Sequence, residues 1–124
     1  MTRLELAEIL LADARWNMQG ARYRSTISRA YFACYHAARA CLERQGIQVM
    51  GRNLHSGTLH LFSLHLVQTD LFPGWMGRVL NRLRDSRVAA DYSSRVIITG
   101  HQAGTALRAA ERFLQEVQGK WDGR

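Results

Sequence analysis

The chain of 124 residues is 47% apolar and 22% charged, with ten glycines and a single proline, Pro73. That size and balance fit one globular domain over residues 1–124 and exclude a disordered tail, and so few turn breakers exclude an all-β fold. The net charge is +7, and sixteen of the seventeen basic residues are arginine. A planar guanidinium pairs with phosphate and stacks on flat rings, which suits an RNA or nucleotide partner; the spread of the charge over both halves of the chain equally suits solvated helix faces.

No run approaches the roughly 18–20 apolar residues of a membrane span, and Arg3, Glu5, Glu8 and Asp13 interrupt the apolar stretch near the amino terminus. A transmembrane helix is excluded, no membrane partner is expected, and a secretory signal is disfavoured. Cys34 and Cys41 lie on one predicted helix about 10 Å apart, too far for a disulfide. Two small thiols without a disulfide framework fit a reducing cytoplasm, and neither has the neighbouring cysteine that zinc sites need.

Thr2 followed by Glu5 is a capping box, and Leu4, Ala7, Leu11, Ala14 and Met18 recur at helical spacing, so a first helix is predicted over residues 2–19. Gly20 closes it. A second helix begins near residues 22–25 and runs to about residue 45, with Ile27, Ala30, Tyr31, Cys34, Ala38, Cys41 and Leu42 on its inward stripe. Gly46 stops that helix, and residues 47–53 read as a loop. A third helix is predicted over residues 55–68, using Leu59, Phe62, Leu66 and Leu54. Thr69, Asp70, Pro73 and Gly74 make the next turn. A fourth helix over residues 75–91 carries Met76, Val79, Leu80 and Leu83 inward and Arg78, Arg82 and Arg84 outward. Thr99 with Gln102 is a second capping box, opening a fifth helix over residues 99–121 with Ala103, Leu107, Ala110, Leu114 and Val117 inward. The expected fold is all-α, an antiparallel up-and-down bundle of four to five helices.

A di-iron bundle needs a Glu-x-x-His pair on its core helices, and the sequence has none. A phosphate-binding glycine loop and a Gly-x-Ser-x-Gly elbow are also missing; no metal and no cofactor are expected. Arginine and histidine remain, and both suit phosphodiester chemistry: an imidazole moves protons near neutral pH, and a guanidinium stabilises charge on phosphate. Arg29 and His36 lie seven apart, nearly on one helical face; they could also satisfy each other structurally near the core. Arg95 and His101 span the loop and first turn of helix five, where His101 at a helix amino terminus would stay neutral and favour a base role, with surface decoration as the plainer reading. His55, His60 and His65 recur every five residues, so they fan around helix three and form no ligand set. Arg87 and Asp91 are spaced for an i, i+4 ion pair that could staple the end of helix four or contact a nucleotide or protein.

Four blocks carry a resemblance: Arg22-Tyr23; Ser28-Arg29-Ala30-Tyr31-Phe32-Ala33-Cys34-Tyr35-His36-Ala37-Ala38-Arg39-Ala40; His55-Ser56-Gly57 with Phe62; and Arg87-Val88-Ala89-Ala90-Asp91-Tyr92. Together they resemble the HEPN domain (higher eukaryotes and prokaryotes nucleotide-binding), in particular its small stand-alone prokaryotic branch. The resemblance implies a dimeric helical bundle paired with a minimal nucleotidyltransferase in a toxin-antitoxin system. Catalytic members are metal-independent endoribonucleases that use an Arg, four to six residues, then a His. In this chain the late block ends on Asp91 and Tyr92, with no His in reach of Arg84 or Arg87. Arg29 with His36 is the preferred catalytic pair and Arg95 with His101 the alternative; Arg84, Arg87, Asp91 and Tyr92 are the expected contacts to nucleotide, RNA or partner. Tyr92 is also the candidate acceptor of a nucleotidyl group. A non-catalytic helical interaction module is the competing reading.

Overall fold

Thr2 opens the first helix as the sequence predicts: its hydroxyl accepts from the Glu5 amide at 3.1 Å, and the Glu5 carboxylate accepts from the Thr2 amide at 2.8 Å. The same reciprocal pair joins Thr99 and Gln102 at 3.2 and 2.9 Å, so two helix starts are written in four-residue motifs. The computed structural model describes residues 1–122. It contains α1 (Arg3–Gln19), α2 (Tyr23–Arg44), α3 (Leu54–Phe62), α4 (Gly74–Tyr92) and α5 (Gly100–Asp122), and no strand among the described residues.

Helix α2 is the centre of the bundle and packs against α1, α3, α4 and α5. Its sequence explains why. Ala30, Ala33, Cys34, Ala37, Ala38 and Cys41 are fully buried, and these small side chains let neighbouring backbones approach from more than one side. Ala7 and Ala14 of α1, with Ala103 and Ala110 of α5, are equally enclosed. Larger side chains fill the space between α3, α4 and α5: the Phe62 ring lies 5.8 Å from Phe72 and 5.6 Å from Phe113, with Leu66, Met76, Leu80, Leu114 and Val117 buried around them. Ala106 and Phe113 are buried beyond the expected stripe, whereas Leu107 is only half-buried. The buried face of α5 is thus wider than a single a/d row.

Gly46 ends α2 with φ +76°, and the Ile47 amide returns to the Leu42 carbonyl at 2.9 Å, a left-handed closure that glycine adopts without a Cβ penalty. The third helix departs from expectation in its last turn. Ser63–Val67 is π-helical, with the Gln68 amide reaching back to the Ser63 carbonyl at 2.9 Å. Leu66 falls into the core there, and Phe72 returns its amide to the Leu66 carbonyl at 2.8 Å. Leu54, expected on the apolar face, stays exposed. Both cysteine thiols are buried and unpaired, and burial pushes Cys34 up and Cys41 up to about 11, so neither is nucleophilic at neutral pH.

One tertiary device sets the geometry of the α4 terminus. From α2, Arg24 donates to the carbonyls of Ala90 at 2.7 Å, Ser93 at 2.9 Å and Val96. It thereby satisfies carbonyls that the end of α4 and the following loop leave free, at the helix end where a cation is favoured. We expect Arg24→Ala to cost about 1–3 kcal/mol and to speed amide exchange selectively over residues 90–98. A variant that unfolds at the wild-type temperature with unchanged exchange there would count against the clamp.

Candidate functional site

On α2, Ser28, Tyr31, Phe32, Tyr35, His36 and Arg39 recur every three or four residues and form one stripe. Where this stripe meets α4 and the first turn of α3 it becomes an aromatic and guanidinium cluster. The His55 ring stacks on Tyr35 at 4.4 Å between centroids and lies 5.7 Å from Tyr31, and Tyr31 Oη is 2.8 Å from His55 Nδ1. Gly57 explains how α3 comes so close to the preceding loop: a Cβ there would sit 3.3 Å from Val49.

Arg87 of α4 lays its guanidinium over Phe32 at 4.9 Å, Tyr92 at 5.6 Å and Tyr31 at 5.8 Å, cation–π distances for a largely desolvated charge. Its Nε lies 3.0 Å from Asp91 Oδ2 yet makes no aligned hydrogen bond, so the two attract as charges. The same carboxylate oxygen accepts from Ser28 Oγ at 3.3 Å. The expected i, i+4 pair is therefore present and tied across to α2. Tyr92 is 73% exposed, which leaves its phenol open to solvent. Arg84 is half-buried, with Nε 3.5 Å from Asp85.

Burial pushes the Tyr31 phenol up to about 12, reinforced by Tyr35 and opposed by Arg87 and Arg84. His55 is held below the ordinary imidazole value by burial and then by Arg87 and Arg39. His36 is lowered too, by burial first, then Arg3, Arg39 and His55, with Glu43 opposing. Both imidazoles are thus neutral at pH 7. A histidine whose folded value is depressed binds fewer protons folded than unfolded, so its contribution is complete above the unfolded value and is lost as pH falls through the folded one. Thermal stability should therefore decline on acidification from pH 7 through the range below the ordinary imidazole value, and His36→Gln with His55→Gln should flatten that slope.

Neither histidine pair expected from spacing shares a hydrogen bond among the described residues. His36 accepts from Arg3 Nη1 at 3.2 Å, and Arg3 in turn pairs with Glu43 at 2.5 Å; Arg29 lies exposed on the same helix. A spacing of seven shares a face but separates the side chains by two turns, and the nearer arginine comes from α1. Arg95 and His101 are both exposed. His101 lines an open groove between α4 and α5 with Arg82, Ser86 and Thr105, and Arg95 is not part of its wall. His60 and His65 are exposed away from the cluster, as their fanning predicts. His55 is the residue that spacing could not single out, because its partners, Tyr31 and Arg87, are supplied by other helices. No group of three potential metal ligands occurs among the described residues, and none of the helices described is long and apolar enough to cross a membrane.

The described residues form an all-helical bundle of five helices, with an aromatic and guanidinium face between the second and the fourth. A family model of the HEPN domain matches residues 2–120, and the chain belongs to the HEPN domain family. It is 27% identical over 93% of its length to a Methanocaldococcus jannaschii protein named "Putative toxin", covering 83% of that protein. It is also 28% identical to a UPF0332 protein of Thermotoga maritima over 87% of this chain and 80% of the relative. A UPF0332 protein of Gloeobacter violaceus is 30% identical over 90% of this chain and 87% of its own.

Proposed function

We propose that this HEPN-family chain is the toxin-like member of a toxin-antitoxin pair, that it acts as a homodimer beside a minimal nucleotidyltransferase, and that it binds RNA or a nucleotide through the α2–α4 face. The observation that carries the reading is Arg87, whose guanidinium rests on three aromatic rings, one of them the exposed ring of Tyr92. Stacked cations and flat rings recognise phosphate and base together. The name of the Methanocaldococcus relative supports the toxin role.

Binding is favoured over cleavage by a detail of His36. Arginine can only donate, so the Arg3 bond occupies Nδ1 as an acceptor and leaves the proton of the neutral ring on Nε2. In that state the imidazole has no free lone pair with which to take a proton from a ribose hydroxyl. An endoribonuclease would have to break the Arg3 bond first, or use Arg95 and His101.

The test is anisotropy of a labelled single-stranded RNA at increasing salt, with gel analysis of the same RNA in chelator. An arginine-driven complex weakens steeply as salt rises. Absent or salt-insensitive binding, together with normal growth when the chain is expressed alone, would leave the interaction module as the surviving reading. Cleavage in chelator that His36→Ala abolishes would overturn the preference for binding.

A further inference from the structure

Tyr31 is fully buried, and its hydroxyl has one hydrogen-bond partner among the described residues, His55 Nδ1. A buried phenol must place its proton on an acceptor, so Tyr31 donates and His55 accepts at Nδ1. The proton of the neutral ring then sits on Nε2. Arg3 imposes the same tautomer on His36. Neither Nε2 is hydrogen-bonded within the fold among the described residues. Both rings flank Tyr35, at 5.1 Å for His36 and 4.4 Å for His55. Arg39 lies 5.9 Å from the same ring, with its buried Nε unpartnered.

We propose that His36, His55, Arg39 and Arg87 form a phosphate subsite built entirely of hydrogen-bond donors, in which Tyr31 and Arg3 lock each imidazole with its proton on Nε2. The ligand class is a phosphate group of a nucleotide or RNA chain, which rests on and deepens the reading of this face as an RNA or nucleotide site. Donors without acceptors select an anion, and two uncharged N–H groups beside two guanidinia match a tetrahedral oxyanion better than they match a metal or a neutral ligand. The carboxylates of the neighbourhood are already engaged: Asp91 by Arg87 and Ser28, and Glu43 by Arg3. After burial, what lowers the two imidazoles further is the positive field that Arg87 and Arg39 place on His55, and Arg3 and Arg39 on His36. A bound phosphate would offset it, so binding should raise both values.

The test is nitrogen-15 spectroscopy of the histidine rings in the full chain, assigned with His36→Gln and His55→Gln, then titrated with inorganic phosphate, with AMP and with an RNA lacking a terminal phosphate. We expect Nε2–H tautomers for both rings, saturable movement of both on adding phosphate, and an upward shift of their titration midpoints. Arg39→Gln should weaken phosphate about tenfold, and Tyr31→Phe, which deletes only the hydroxyl, should release the His55 tautomer. An Nδ1–H tautomer at His55, or ring signals that phosphate leaves in place, overturns the subsite. RNA and AMP that both bind without moving the two rings also overturn it while leaving the proposed function standing. Phosphate that binds where RNA does not compete would remove the functional reading and keep the subsite. AMP moving the rings where the terminally unphosphorylated RNA does not would support the subsite and assign it to phosphomonoesters.

Discussion

Replacing Arg87 by alanine is expected to weaken RNA binding roughly ten- to hundredfold, the loss that accompanies deletion of a charge-assisted contact. The effect is large because one side chain performs three tasks. It lies over Phe32, Tyr31 and Tyr92, it faces Asp91, and it lends positive potential to His55. Lysine should rescue little, since an ammonium keeps the charge but loses the planar group that stacks on a ring. Removing Arg87 also leaves Asp91 with Ser28 alone, so part of the damage could be a looser end of α4. The double variant Arg87→Ala with Asp91→Asn separates the two: restored melting temperature with binding still lost assigns the defect to recognition. Wild-type affinity in Arg87→Ala would remove the α2–α4 face from consideration.

Phe113→Ala should be the most destabilising of the substitutions considered. Phe113 is fully buried and its ring sits 5.6 Å from Phe62, which in turn stacks on Phe72. A Phe-to-Ala deletion in a close-packed core costs about 3–5 kcal/mol through lost transfer energy and the cavity left behind. For a chain of this length that corresponds to a fall of roughly 10–20 °C in Tm. Phe113→Leu, which retains most of the volume, should recover more than half. A melting temperature within a few degrees of wild type for Phe113→Ala, by calorimetry, would show that the three phenylalanines do not pack as a unit.

What was legible in the sequence follows from the range of the interactions involved. Thr2 with Glu5 and Thr99 with Gln102 are local motifs, and both appear as expected. Gly46 and Pro73 mark chain reversals for reasons internal to one residue. Helical spacing places Ala30, Cys34, Ala38 and Cys41 on the inward stripe of α2, and all four are fully buried. The departures are all tertiary. The π-helical turn at Ser63–Val67 places Leu66 in the core and Phe72 against Phe62, and no propensity encodes it. Arg24 reaches carbonyls of Ala90, Ser93 and Val96, far along the chain. His55 read as one of three fanning histidines until α2 and α4 supplied Tyr31 and Arg87. Helical spacing correctly put Arg29 and His36 on neighbouring parts of one helix face, but it could not reveal that Arg3 of α1 occupies the His36 ring.

Nucleic acid is proposed to meet this chain on the α2–α4 face. Amide hydrogen exchange of the full chain with and without single-stranded RNA tests it most directly. Exchange should slow over residues 28–39, 54–57 and 84–92 and change little along α1 and α5. Protection confined to the groove between α4 and α5 around His101 and Arg82, or to the cleft where Arg112 stacks on Trp75, would contradict it.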